Sequence, residues 1–143
     1  MGVMADTFET ACAWSRFADL HRDVRSSVGA ALASQCGGGR VTCRFTHVYP
    51  DGPAVYYTFL GRAREAGELA QWAAVKAAAS EALARHGATI THHHAVGRTH
   101  RPWYDRERPS LFASSLIAVK RALDPAAVMN PDVLVDPPDV SAP

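Results

Sequence analysis

No stretch of this 143-residue chain approaches the roughly 20 consecutive apolar residues that a membrane-spanning helix requires. The opening residues, MGVMADTFETA, carry neither the charged start nor the apolar run of a secretory signal. An excess of charge is equally lacking: 15 Lys and Arg stand against 14 Asp and Glu, leaving +1 with histidine neutral. Because the two signs are interspersed, no basic face is available for the phosphate neutralisation on which nucleic-acid binding depends. Cysteine is scarce, three residues without a CxxC pair. That count argues against a disulfide framework and a thiolate zinc site, and it fits small buried thiols in a reduced, cytoplasmic setting.

What is present is the composition of a folded domain, 48% hydrophobic and 20% charged, and the length sets one domain with a single core. A short strand is expected over Asp6 to Ala13. From Ser15 to Ala33, Phe17, Leu20, Val24, Val28 and Leu32 recur at steps of three or four, the stripe of an amphipathic helix that Ser15 could cap. The triple glycine Gly37 to Gly39 breaks it. No Lys-Ser/Thr follows those glycines and they lead into a strand, so they read as a linker and not as a phosphate cradle. Two β-type runs, Val41 to Tyr49 and Ala54 to Leu60, flank Pro50, Asp51, Gly52 and Pro53, which predicts a hairpin. A second amphipathic helix is expected over Arg64 to Arg85, with Leu69, Trp72, Val75, Ala79 and Leu83 inward, and a fourth strand over Ala88 to His94. A third helix, Ser110 to Leu123, should bury Phe112, Leu116, Val119 and Leu123. Pro125, Pro131, Pro137 and Pro138 then end regular structure.

The order strand, helix, strand, strand, helix, strand defines an α+β, ferredoxin-like βαββαβ sheet with helices on one face, followed by a helix and an extended tail. Strand parity then sorts side chains. Val41, Cys43, Phe45, His47 and Tyr49 go to the helix side with Val55, Tyr57 and Phe59. Arg44, Thr46, Tyr56, Thr58, Thr91 and His93 are left on one open polar surface.

Four of seven histidines lie between His92 and His100, and His92, His93 and His94 are consecutive. On a strand only His92 and His94 could share an ion, with His47, His100 or Asp105 completing the site. Neither HExxH nor a Cys/His zinc spacing is present, so the pattern selects no metal. Proton transfer uses the same residues differently: an imidazole near neutrality can exchange a proton with a tyrosine phenol across one sheet face. By parity that pair is Tyr56 and His93.

The string THHHAVGRTHRPW, Thr91 to Trp103, resembles the S-H-H-H-G-V-G-(R/K) segment of the alkyldihydroxyacetonephosphate synthases and their bacterial relatives, FAD-linked oxidases of vanillyl-alcohol-oxidase type. THVYPDGPAVYYTF, Thr46 to Phe59, is similar to that family's strand-turn-strand. DTFETACAW, Asp6 to Trp14, resembles its E-T-(S/A)-x-x-W segment, and KRALDPAAVMNP, Lys120 to Pro131, its K-x-x-(L/V)-D-P-x-x-(I/V)-x-N-P ending. Four segments in the right order span nearly the whole chain.

The resemblance implies a C-terminal cap over residues 1–136, with 137–143 a loose tail, whose open sheet covers a flavin bound by a separate N-terminal domain or subunit. It implies FAD as cofactor, Tyr56 as the acid/base tyrosine, and His92, His93 and His94 as residues lining the active site. Arg98 and Asn130 would lie on the cofactor side. A small or lipid-like substrate and a place in ether-lipid formation follow from the resemblance alone. The chain has no counterpart of the FAD domain or of a substrate-binding arginine upstream of the E-T segment, so it is expected to be inactive alone. Ala95 replaces the glycine after the triplet, and Asp132 and Val133 stand where related oxidases often have Gly-Lys. The alternative is a stand-alone module that dimerises through its open face and binds a ligand or metal with its histidines.

Overall fold

The structure, a computed structural model, describes residues 2–136. The expected loose tail, residues 137–143, lies outside them. Two compact units are present, residues 1–95 and residues 96–143.

The first unit is built from β1 (Gly2–Ala11), α1 (Trp14–Cys36), β2 (Gly39–Val48), β3 (Pro53–Ala63) and α2 (Glu68–Arg85). Its three strands form an antiparallel sheet in the order β1-β3-β2, with β3 central. The stripe read from the sequence holds for α1, where Leu20, Val24, Val28 and Leu32 are fully buried. They pack on the β3 face that carries Val55, Tyr57 and Phe59, also fully buried. Each such side chain contributes about 1.5–3 kcal/mol of transfer free energy, and Phe8 of β1 stacks on Tyr57 at 4.9 Å. Ser15 does not cap α1. The helix starts one residue earlier, at Trp14, with Ala13 at the cap position, and it ends on Gly37 in the left-handed conformation, φ 71°.

The α2 stripe is displaced from expectation. The helix begins at Glu68, which leaves Leu69 82% exposed in its first turn, whereas Gln71, Val75, Lys76, Ala79 and Leu83 are buried. Lys76 Nζ donates to the Thr7 carbonyl at 2.7 Å and Trp72 Nε1 to Asp6 at 2.6 Å, so polar groups as well as apolar ones lock α2 onto β1. At the Pro50–Pro53 turn a side chain on Gly52 would meet the Cys12 carbonyl oxygen at 1.8 Å, which only glycine avoids.

Two further sequence expectations fail in this unit. The fourth strand does not form: residues 88–94 run as bends. Thr89 bonds backbone to backbone with β1, donating to the Ala11 carbonyl at 3.2 Å. The amides of His92, His93 and His94, which a ladder would need, are taken by the side chain of Glu9. The second failure is in β2, where the register shifts by one residue between Phe45 and His47. Phe45 pairs with Val55 but His47 pairs with Ala54, so this bulge turns His47 from the helix side to the open side.

The second unit holds α3 (Gly97–Glu107) and α4 (Ser110–Leu123). α4 has the predicted bounds, but its stripe is not inward. Phe112, Val119 and Leu123 are 52%, 53% and 75% exposed and no α4 residue is buried. A one-sided stripe specifies a helix, but burial needs a facing element, which a stripe does not by itself supply. No apolar stripe announces α3, and Pro102 interrupts it. Its arginines hold the segment beyond α4 instead: Arg98 donates to the Pro131 carbonyl at 2.9 Å, Arg101 to that of Asp132 at 3.2 Å and Arg108 to that of Leu134 at 2.8 Å. Among the described residues, no helix is long and apolar enough to cross a membrane.

Candidate functional site

The face of the sheet turned away from α1 and α2 carries Thr7 and Glu9 from β1, Tyr56 and Thr58 from β3, and Thr42 and Arg44 from β2. Tyr56 sits on the central strand, directly between Glu9 and Arg44 in the two registers. Its phenol donates to Thr7 Oγ1 at 3.1 Å, and the Arg44 guanidinium lies 4.5 Å from its ring centroid. The neighbouring Tyr57 has the opposite fate. It is fully buried on the helix side, its hydroxyl 3.2 Å from His21 Nδ1, and burial, reinforced by the Cys43 and Cys12 thiols, pushes its pKa far above the usual phenol range. Of the two adjacent tyrosines, Tyr56 is half-buried on the open face and Tyr57 is fully buried on the other.

The triple-histidine turn lies along the same face, anchored by Glu9. This residue is 2% exposed. Its Oε1 accepts from the His92 amide at 2.5 Å, the His94 amide at 2.8 Å, the Thr91 hydroxyl at 3.0 Å and the His93 amide. Burial raises the carboxyl pKa, but those donors outweigh it and hold Glu9 below the ordinary carboxylate range. The carboxylate thus serves as the ladder partner that a fourth strand would have found in β1.

Because the turn is not a strand, parity does not govern its side chains. Tyr56 meets His94, edge-on with ring centroids 5.2 Å apart, and not His93 as alternation predicts. His93 instead stands 4.7 Å from His94 and 5.4 Å from His92, centroid to centroid. His47, moved across by the bulge, completes the group at 5.6 Å from His92 and 5.7 Å from His93. Glu9 is the residue that sequence reasoning missed: its segment is quoted in the E-T match, but nothing local marks a carboxylate whose partners lie more than 80 positions away.

The remaining candidates belong to the second unit. Arg98 and Asn130 are brought into one neighbourhood there, since Arg98 bonds the carbonyl of the residue next to Asn130. Asn130 itself adopts φ 45° in the turn beyond α4. Arg101 is engaged by Asp136 at 2.7 Å and Asp105 at 3.4 Å. Of the tryptophans, Trp14 donates to the Tyr49 carbonyl at 3.0 Å and Trp72 to Asp6, which makes both structural anchors.

Ala95, at φ 64°, and Asp132, at φ 61°, both occupy the left-handed region at positions where the resembling family carries glycine. That conformation costs a non-glycine residue about 1–2 kcal/mol, against about 0.5–1 kcal/mol of extra unfolded-chain entropy for glycine. Ala95→Gly is therefore expected to raise stability by up to about 1 kcal/mol, and Asp132→Gly by less, because aspartate tolerates this region better. Urea denaturation of each variant checks both.

The chain belongs to the FAD-linked oxidases, as their C-terminal domain: the family described as FAD linked oxidases, C-terminal domain, matches residues 1–134. Within that class its relatives include alkyldihydroxyacetonephosphate synthases. It is 31% identical to that of Trypanosoma brucei brucei over 134 residues, covering 94% of this chain and 22% of the relative. It is 30% identical to that of Caenorhabditis elegans over 138 residues, covering 94% of this chain and 23% of the relative. A solved alkyldihydroxyacetonephosphate synthase shares the fold, with a TM-score of 0.61 at 18% identity, over 90% of this chain and 20% of the other. The chain therefore spans about a fifth of the length of these relatives.

Proposed function

We propose that this chain is the cap of a flavin-dependent enzyme of the alkyldihydroxyacetonephosphate synthase kind, and that the sheet face turned away from α1 and α2 closes over a flavin held by a separate domain or subunit. The observation that carries this reading is the placement of Tyr56 at the centre of that face, with Thr7, Arg44 and His94 around it, in a chain matched to the family over residues 1–134. The donor set suits one side of such a cofactor: a phenol, a guanidinium and imidazoles on an open surface, Arg44 exposed and Tyr56 half-buried. FAD, when bound, supplies the electron-accepting ring.

Tyr56 then carries a proton to or from the substrate, and His94, edge-on to its ring, relays it or stabilises the charge left behind. Thr7 orients the phenol. Arg44, over the ring, holds its face in place. Arg98 and Asn130 lie on the cofactor side in this reading, Arg98 chiefly by fixing the backbone at Pro131. A lipid-like substrate, as the relatives' name denotes, follows from kinship. The described residues of unit 1 supply one wall of a cleft, so in this reading turnover requires the flavin-binding domain or subunit.

Native mass spectrometry of the full chain, alone and after co-expression with the flavin-binding part of the Trypanosoma brucei brucei synthase, tests this. A complex that retains FAD and forms ether-lipid precursor is the expected result. A stable homodimer that neither pairs with the flavin domain nor retains FAD would overturn it, in favour of a stand-alone binding module.

A further inference from the structure

The bulge in β2 and the bends after α2 bring together side chains that strand geometry would have kept apart. Among the described residues, His47, His92 and His93 each offer a ring nitrogen within 4.8 Å of the others. The Nδ1 atoms of His92 and His93 are 3.2 Å apart. Behind them lies Glu9 Oε2, 2.8 Å from Nδ1 of His93 and 3.6 Å from Nδ1 of His92. This oxygen is buried and makes no hydrogen bond, in contrast to Oε1 with its four donors.

We propose that His47, His92, His93 and Glu9 form a binding site for a divalent transition-metal ion, zinc above all. Tetrahedral zinc, with bonds of about 2.0–2.1 Å to nitrogen and oxygen, sets its ligand atoms about 3.3–3.4 Å apart. The spacings of 2.8, 3.2 and 3.6 Å among the carboxylate oxygen and the two Nδ1 atoms bracket that edge. Three imidazoles and one carboxylate are a donor set that zinc accepts. The ion would also engage Oε2, a buried oxygen that makes no hydrogen bond and whose near neighbours are the two Nδ1 atoms. His92 and His93 are 25% and 43% exposed in their side chains, so an ion can enter from solvent.

Four protein ligands close the coordination sphere, which makes the site structural. It would clamp the histidine turn to β1 through Glu9 and to β2 through His47. The site stands independently of the flavin reading, and it divides the triplet: His92 and His93 become ligands, whereas His94 stays with Tyr56.

The test uses the full chain, stripped with EDTA and titrated with Zn2+ by calorimetry, with Co2+ absorption as a second readout. One ion per chain is expected at a dissociation constant of about 1 µM or below. His47→Ala and His92→Ala should each weaken it more than about tenfold, at unchanged circular dichroism, and His86→Ala should leave it unaltered. Glu9→Gln should also weaken it. The Co2+ complex should show the visible bands of tetrahedral nitrogen and oxygen ligation. Absence of saturable binding, binding indifferent to His47 and His92, or a thiolate charge-transfer band would each overturn the proposal. None of these outcomes involves flavin or turnover, so failure here leaves the cap reading to be judged by its own experiment.

Discussion

Replacing Glu9 by alanine is expected to destabilise the first unit by about 2–4 kcal/mol, since donors left without an acceptor cost up to about 1–3 kcal/mol each where they are shielded and water reaching these part-buried groups recovers part of the sum. Three amides and the Thr91 hydroxyl lose their common acceptor at once. In thermal unfolding this corresponds to a fall in Tm of roughly 10 °C or more. Glu9→Gln keeps the shape and one carbonyl acceptor but removes the charge, so its loss should be smaller and it serves where the alanine variant does not fold. The charge can be tested through pH. The folded-state pKa of Glu9 lies below its unfolded value, so the unfolded chain takes up a proton first as the medium is acidified. The stabilisation is therefore complete above the ordinary carboxylate range and disappears as pH falls through the depressed folded value. The stability gap between the wild type and Glu9→Gln should accordingly be widest near neutrality and narrow in acid. A gap of constant size would show that the carboxylate charge contributes nothing.

In the assembled enzyme, Tyr56→Phe should lower turnover by about 10²–10⁴-fold, the usual weight of a positioned acid or base, while changing stability by only about 1 kcal/mol. The ring stays in place under Arg44 and beside His94, and only the bond to Thr7 Oγ1 is lost. Fold and function are thereby separated in one variant. If the phenol transfers a proton, kcat and kcat/KM should fall together. Tyr57→Phe supplies the contrast. It removes a hydroxyl buried next to His21, so its effect should appear in stability and leave turnover alone. Unchanged turnover in Tyr56→Phe would remove this residue from the chemistry.

Periodicity carried the reading furthest where packing is one-sided and local. The α1 stripe of Leu20, Val24, Val28 and Leu32, the hairpin around Pro50 to Pro53 and the bounds of α4 were all legible, because each depends on residues near one another in the chain. Membership of the FAD-linked oxidases was legible too, through four short segments in order, and so was the choice of Tyr56 as the tyrosine on the open face. Parity, by contrast, is valid only while a ladder continues. A single inserted residue before His47 reversed that side chain, and the loss of the fourth strand released His92, His93 and His94 from alternation.

The sequence by itself thus determined the α+β class, the order of β1, α1, β2, β3, α2 and α4, and the family, and it singled out Tyr56 and the histidine triplet as candidates. The tertiary structure alone decided which of these meet. His94, and not His93, stands beside Tyr56, His47 joins His92 and His93, and the buried Glu9 carboxylate replaces a strand as the partner of their amides. The physical reason is separation along the chain: the contacts between Glu9 and the histidine turn span 83 to 85 positions, and no local pattern of hydrophobicity records where a single buried charge will find its donors.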